Sequence, residues 1–437
     1  MKTLSLVAGL SLVVAAACGG TVVVEPIGGG NTSSGNPASS TSSSGGSSSG
    51  STPTTPTPKA PIGPYTGLVG TSDVSILYPM PLAGQAADFV RASDVGDHGP
   101  LFANASFTAT AGTSLDRTTS DPPSGYAQLA LISMRLDPCS TRKGSACTSE
   151  VRLVLQGVYE RKAGGFSPDG DATLGMAASD GALHVTYDIS EAELVVMMKQ
   201  ILTLKQANGG AADQVLGVHP ILASQGLAGP FAVGLRAIVL EHLGEDRIAR
   251  VTTFDHNMDP DEDGWSFRVF DRAGSAYTPL KIPTTTNESQ TVFGSSAFGT
   301  PLTSTGAGMF IPATTADSVE RIVDRNRPAL GAPQVASQIV PAFEAAARVQ
   351  NPSVHHFETI DCATCHLAEG AKLIGQDLYG LSTLKVFTHK RVLEYKSERT
   401  SVTNLHAFGY LHRKVSIMQR TANESVLVAD AMEQKVK

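Results

Sequence analysis

Residues 19–62 take no part in any core this chain can build. Apart from Val22-Val23-Val24, the stretch is Gly, Ser, Thr, Asn and Pro with almost no charge, and it runs into the Pro-rich segment Ser51–Pro64. Such a composition cannot bury enough apolar surface to offset the entropy of ordering it. It reads as a flexible tether with an end-to-end distance of roughly 35–40 Å. Whatever folds must come from the residues after about 63. The whole chain of 437 residues is too long for one ordinary domain.

The segment before the tether is not part of the fold either. Lys2 supplies a positive start, and Leu4 to Ala17 form an apolar run too short to span a bilayer permanently. The run ends Ala15-Ala16-Ala17-Cys18-Gly19, which resembles a bacterial lipobox. The resemblance implies cleavage after residue 17, lipidation of Cys18, and anchoring in the cell envelope, at an outer membrane facing the periplasm or at the cell surface. An ordinary secretory signal that leaves Cys18 as a thiol is the alternative. Both readings export the chain, and no later run is long and apolar enough for a transmembrane helix.

Residues 63–330 carry the pattern of a sheet. Alternating or β-branched runs predict strands at Val69–Leu77, Tyr126–Leu136, Val151–Val158, Leu183–Tyr187, Ile248–Phe254 and Trp265–Phe270. Ser190 followed by Glu193 is a capping-box signature opening a helix to about Leu204. A second helix is expected over Pro230–Leu243, a short one over Asp317–Asn326, and another from Pro341 to about Gln350. The expected class is therefore α+β: a mainly antiparallel β domain with a few helices, then a small, mostly α-helical region over 331–437.

Catalytic signatures are missing from the β domain: there is no Gly-x-Ser-x-Gly elbow, phosphate-binding glycine loop or His-Glu-x-x-His. Asp259-Pro260-Asp261-Glu262-Asp263-Gly264 opens like a calcium loop. The twelfth position is Phe270 where a bidentate Glu belongs, so an acidic turn is the competing reading. His184, His219, His242 and His256 stand apart along the chain. Net charge is −7, which gives no global basic field for nucleic acid.

The five cysteines divide cleanly. Cys139 and Cys147 are eight apart, a spacing that suits a disulfide stapling a hairpin in an oxidising compartment. Cys362 and Cys365 fall in Cys362-Ala363-Thr364-Cys365-His366, the Cys-x-x-Cys-His spacing of covalent haem attachment. Two thiols so spaced reach the two vinyl groups of a porphyrin, and the following His lies under the iron. A disulfide, or zinc held with a further His, are the other chemistries open to these residues.

The segment Phe357 to Gly370 resembles the attachment region of bacterial c-type cytochromes. The likeness covers at most residues 334–437. It implies one covalent haem c, thioethers at Cys362 and Cys365, and His366 as the proximal iron ligand. On the other side of the iron, Met418 stands before an expected last helix capped by Asn423-Glu424-Ser425, and His406, His412 and His356 are rivals. Residues 371–420 hold nine Lys/Arg against three acids, enough to face haem propionates or an acidic redox partner, or simply to be a solvated face. The expected function is electron transfer with an unidentified redox partner, by a protein held at a membrane through its lipid. A haem enzyme or sensor with an open sixth site, or an envelope module with a non-catalytic haem or metal, are the alternatives.

Overall fold

The computed structural model describes residues 68–80, 88–111, 125–142, 146–161, 175–210, 215–258, 263–294, 317–323, 330–382, 384–398 and 404–437. The export signal, Cys18, the tether and Asp259–Glu262 lie outside the described residues.

The strands are β1 Ser75–Leu77, β2 Val95–Gly96, β3 Gly99–Pro100, β4 Leu129–Arg142, β5 Ala146–Arg161, β6 Gly175–Asp188, β7 Ile248–Met258, β8 Asp263–Ala273, β9 Ala276–Leu280, β10 Ser289–Gly294, β11 Phe408–Leu411 and β12 Lys414–Ile417. Eight of them form one antiparallel sheet in the order β1-β4-β5-β6-β7-β8-β10, with β9 also paired to β8. The architecture is α+β, as the runs of alternating residues predict. The run from Val69 differs in detail. Residues Thr71–Val74 make a helical turn, held where the buried Asp73 carboxylate accepts from the Gly70 N–H, and only Ser75–Leu77 pair with β4.

Side chains alternate across the sheet, so each strand feeds two layers. On one face Leu153 and Leu155 of β5, Leu183, Val185 and Tyr187 of β6, and Val251 of β7 are fully buried. They pack against helices α1 (Glu191–Ala207) and α2 (Pro230–His242) through Leu194, Met197, Met198, Ile201, Phe231 and Leu235. Helix α1 begins at the capping box the sequence announces: Ser190 Oγ accepts from the Glu193 N–H, and the Glu193 carboxylate accepts in return. Both helices lie between β6 and β7, the longest connection within the central strands.

The other face is covered by the C-terminal part of the chain. Helices α3 (Val340–Val349), α4 (Cys362–Tyr379) and α5 (Gln419–Val436) come from there, with the β11–β12 hairpin between α4 and α5. A second core joins Val154, Ala182, Phe254, Phe267 and Val292 of the sheet to Phe343, Ala346, Leu367, Ala371 and Ile374 of α3 and α4. Gly375 lets the two helices meet, since a Cβ there would stand 2.3 Å from Phe343 Cδ2. Helix α5 reaches the first core as well, through Ala422, Val428, Ala429, Met432 and Val436.

Helix α5 starts earlier than its sequence predicts. Met418, in an extended conformation, is its N-cap, and Asn423 and Ser425 sit inside the first two turns. Polar side chains usually leave a helix interior because they compete for backbone partners. Here they have partners elsewhere: Asn423 Nδ2 donates to the Gln350 carbonyl and Thr421 Oγ1 to the Ala407 carbonyl. Ser425 Oγ bonds Thr421 O and Ser75 Oγ.

Candidate functional site

Between the second sheet face and the C-terminal segment lies a cavity of about 720 Å³. Its sheet wall follows from strand register. Arg152, Thr186 and Arg250 are neighbours across β5, β6 and β7, and Val154, His184, Thr252 and Val269 form the next row along. The opposite wall brings Phe357, Ile360, Cys362, Cys365 and His366, and α5 contributes Arg420, Glu424 and Leu427. Asp137, Pro138, Cys139 and Ser140, at the end of the β4–β5 hairpin, line it too. The Cys139–Cys147 disulfide closes that hairpin, as the cysteine spacing predicts.

The two thiols and His366 enter the cavity because α4 begins at Cys362. Asp361 is the N-cap, its carboxylate accepting from the Thr364 N–H at 2.8 Å. Gln290 of β10 clamps the same turn, donating to Asp361 Oδ1 at 2.7 Å and accepting from the Ala363 N–H at 2.9 Å. Asp361 is fully buried, which raises its carboxyl above the ordinary range while these hydrogen bonds oppose the rise. Cys362 and Cys365 are unbonded to each other, and burial pushes both thiols up, so they are held as neutral S–H groups.

His366 is held on three sides. Its ring packs on Phe254 at 5.8 Å and on Phe267 at 4.9 Å between centroids. Its Nδ1 lies 2.5 Å from the Leu405 carbonyl oxygen. A carbonyl only accepts, so Nδ1 carries the proton and Nε2 carries the lone pair. An imidazole fixed in this tautomer by a backbone carbonyl is oriented as a metal-ligating His is.

The residues expected on the far side of an iron fall in different places. Met418 lines the cavity, buried at the start of α5. His356 lines it as well, with Nδ1 accepting from the Glu358 N–H. His406 lies behind the cavity wall, close to Gln156 Nε2 and Asn404 Oδ1 and edge-on to Phe254. Burial lowers it to about 4, with Asp180 opposing. His412 turns the β11–β12 hairpin at φ 56°, its carbonyl accepting from the Ala178 N–H and its Nδ1 near Tyr159 Oη.

His184 carries no motif in the sequence, yet it lines the cavity. It stands mid-strand in β6 and faces the cavity beside Val154 and Thr252. Burial pushes its pKa down to about 3, helped by the Arg152 guanidinium, so the ring is neutral. A signal was present in the sequence. Arg152, His184, Thr186, Arg250 and Thr252 fall on one side of strands whose other side is largely apolar.

Arg135, Arg152, Arg250 and Arg420 all reach the cavity wall. Each has a carboxylate partner: Glu424 for Arg135 and Arg420, Glu150 for Arg152 at 2.8 Å, and Asp271 for Arg250 at 2.7 Å. The basic stretch 371–420 is therefore partly internal. Arg420 belongs to the site, and Arg391 is buried against Asp430 and Glu433. Among the described residues, no group of three or more His, Cys, Asp and Glu side chains is placed to hold a metal ion on its own. No described helix is long and apolar enough to cross a membrane.

The residues present suit a haem: a cavity of porphyrin scale, two reduced thiols, an oriented imidazole, a mixed apolar and guanidinium wall. Comparisons with protein-family models, curated proteins and solved structures find no match to this chain.

Proposed function

We propose that this chain is an exported, lipid-anchored protein carrying one haem c, and that it transfers electrons. One observation carries the reading. Cys362, Cys365 and His366 open together into one cavity, with the His366 ring oriented by the Leu405 carbonyl at Nδ1. The haem would supply reversible one-electron exchange at its iron.

The chain's own residues have separable tasks. Cys362 and Cys365 would hold the porphyrin edge through two thioethers. His366 supplies the proximal nitrogen, with Phe254 and Phe267 fixing its ring plane. Val154, Val269, Ile360 and Leu427 supply apolar wall that would limit water around the bound group. The guanidiniums of Arg152 and Arg250 are the groups able to face the haem carboxylates. Upstream, Cys18 and the tether supply the anchor and the reach.

The test is a pyridine haemochrome spectrum of the exported chain, made in a host with c-type haem maturation. The expected result is one haem with the c-type α-band, surviving denaturation, and a reversible one-electron titration. Replacing both thiols (C362S/C365S) removes all covalently held haem. Lack of a c-type band in the intact, exported chain overturns the reading.

A further inference from the structure

We propose that the irregular segment after helix α4, residues 384–392, rests on an anionic lipid surface and so fixes which side of the folded body faces the membrane. This contact rests on the lipid-anchored reading above and not on the haem.

Large apolar side chains left exposed among the described residues are concentrated here. Leu384, Val386 and Val392 belong to the segment, and Leu378, 63% exposed, stands in the last turn of α4 just before it. Exposed Val354 joins them through a turn: Asn351 accepts from the Val354 N–H, and its Nδ2 donates to the Val386 carbonyl at 2.8 Å. Val95, Val196 and Val233 are exposed too, but they sit on other elements, in β2, α1 and α2. Single apolar side chains on a surface are ordinary, whereas several on one stretch mark a contact.

Charge gives the chemistry of the partner. From Leu378 to Val392 the sequence has no Asp or Glu, and it holds Lys385, Lys390 and Arg391 in a chain of net charge −7. Arg391 is turned inward to Asp430 and Glu433. Lys390 lies 3.1 Å from Asp430 yet keeps its side chain 75% exposed, and Lys385 is exposed as well. Aliphatic side chains interleaved with lysines suit anionic lipid: the methyl groups enter the headgroup layer and the ammoniums meet phosphates. Residues 384–392 form neither helix nor strand, so their backbone groups keep the contact at headgroup depth, short of the hydrocarbon.

The place where the chain enters the fold favours a membrane over an acidic protein. Arg391 Nη1 donates to the Val69 carbonyl at 2.6 Å, and Leu68, 51% exposed, is the first described residue. The chain that runs back to Cys18 therefore joins the body at this segment, between Lys390 and Val392. A tether of this reach imposes an effective concentration of roughly millimolar, enough to occupy a shallow contact that would not recruit the free protein.

The experiment uses the full mature chain as C18A, exported through a cleavable secretory signal so that no lipid is attached. Vesicles of phosphatidylcholine, with or without phosphatidylglycerol, are supplied at roughly millimolar lipid to match the tethered state, and bound protein is sedimented. Binding to the phosphatidylglycerol vesicles is expected, about fivefold weaker on phosphatidylcholine alone, and declining with salt. L384S/V386S/V392S and K385E/K390E should each lower the partition about tenfold, and V95S/V196S/V233S should leave it unchanged. No binding to phosphatidylglycerol vesicles overturns the proposal and leaves a protein as the occupant. Binding that survives both variants, or falls as far in the valine control, overturns it too. Should the serine variant fail to fold, the lysine variant decides. Mass spectrometry of the wild-type amino terminus reads the acyl chains at Cys18 separately. Their absence defeats the anchor while the vesicle result still decides the surface, so the two failures are told apart.

Discussion

On one face of the large sheet, Leu153, Leu155, Leu183, Val185, Tyr187 and Val251 meet helices α1 and α2 and are fully buried. On the other, the alternate residues of the same strands present Arg152, His184, Thr186, Arg250 and Thr252 to a cavity of about 720 Å³. In a two-layer protein, polar residues on the second face would look at water. Here the C-terminal segment covers that face, so they are partly enclosed. The first face is what packing alone produces. The second keeps guanidiniums, a neutral imidazole and two thiols where apolar side chains would cost less, and that expense marks it as a site.

The contrast can be broken at its edges. The Cys139–Cys147 staple holds the end of the β4–β5 hairpin that reaches the cavity. Loop closure of this length contributes roughly 2–3 kcal/mol. C139A/C147A should lose about that much by urea denaturation, and hydrogen exchange should show the loosening along the hairpin end rather than under α1 and α2.

A matched pair of valines compares the faces directly. Val185 is fully buried in the first core, whereas Val154 lies between the second core and the cavity. V185A should cost about 2 kcal/mol with haem content and spectrum unchanged, while V154A should cost under about 1 kcal/mol and shift the haem spectrum. Equal costs, or a spectrum that answers to Val185, would erase the distinction.

The smallest effect concerns charge. Burial raises the Asp137 carboxyl, in the cavity wall, from an ordinary 3.8 to about 6. The folded chain thus holds that proton more tightly than the unfolded one, so this contribution is full below the unfolded value and is lost as pH rises through about 6. D137N keeps an oxygen for the Cys139 N–H. It should raise stability by roughly 1–2 kcal/mol near pH 7 and leave it nearly unchanged near pH 3. Urea midpoints at the two pH values measure the difference.

Much of the first face was legible from residues. Period-two runs located β4 to β8, Ser190 and Glu193 announced α1, and two cysteines eight apart located a hairpin. These are local signals, each complete within a few residues. The thiols and His366 were legible for the same reason. The start of α5 was not, because Asn423 and Ser425 find their partners at Gln350 and Ser75, far away in sequence. The β11–β12 hairpin carries no turn signal in its sequence because its turn uses His412 at φ 56° in place of a glycine, held by Ala178. His184 looked isolated because its neighbours in the cavity come from other strands and from a segment almost 180 residues downstream.

The clamp that Gln290 places on Asp361 and Ala363 bears on how cheaply an electron can come and go. Its side chain is 1% exposed and binds the first turn of α4 at two points. That turn carries both thiols, and through His366 it leans on Phe254 and Phe267. The proposed haem would therefore be bolted to the sheet rather than hung from a mobile helix end. When an iron changes charge, every ligand that shifts in response adds to the barrier, so a rigid seat lowers the reorganisation that each transfer demands. The same rigidity suits poorly a sensor, which must turn a change at its iron into movement.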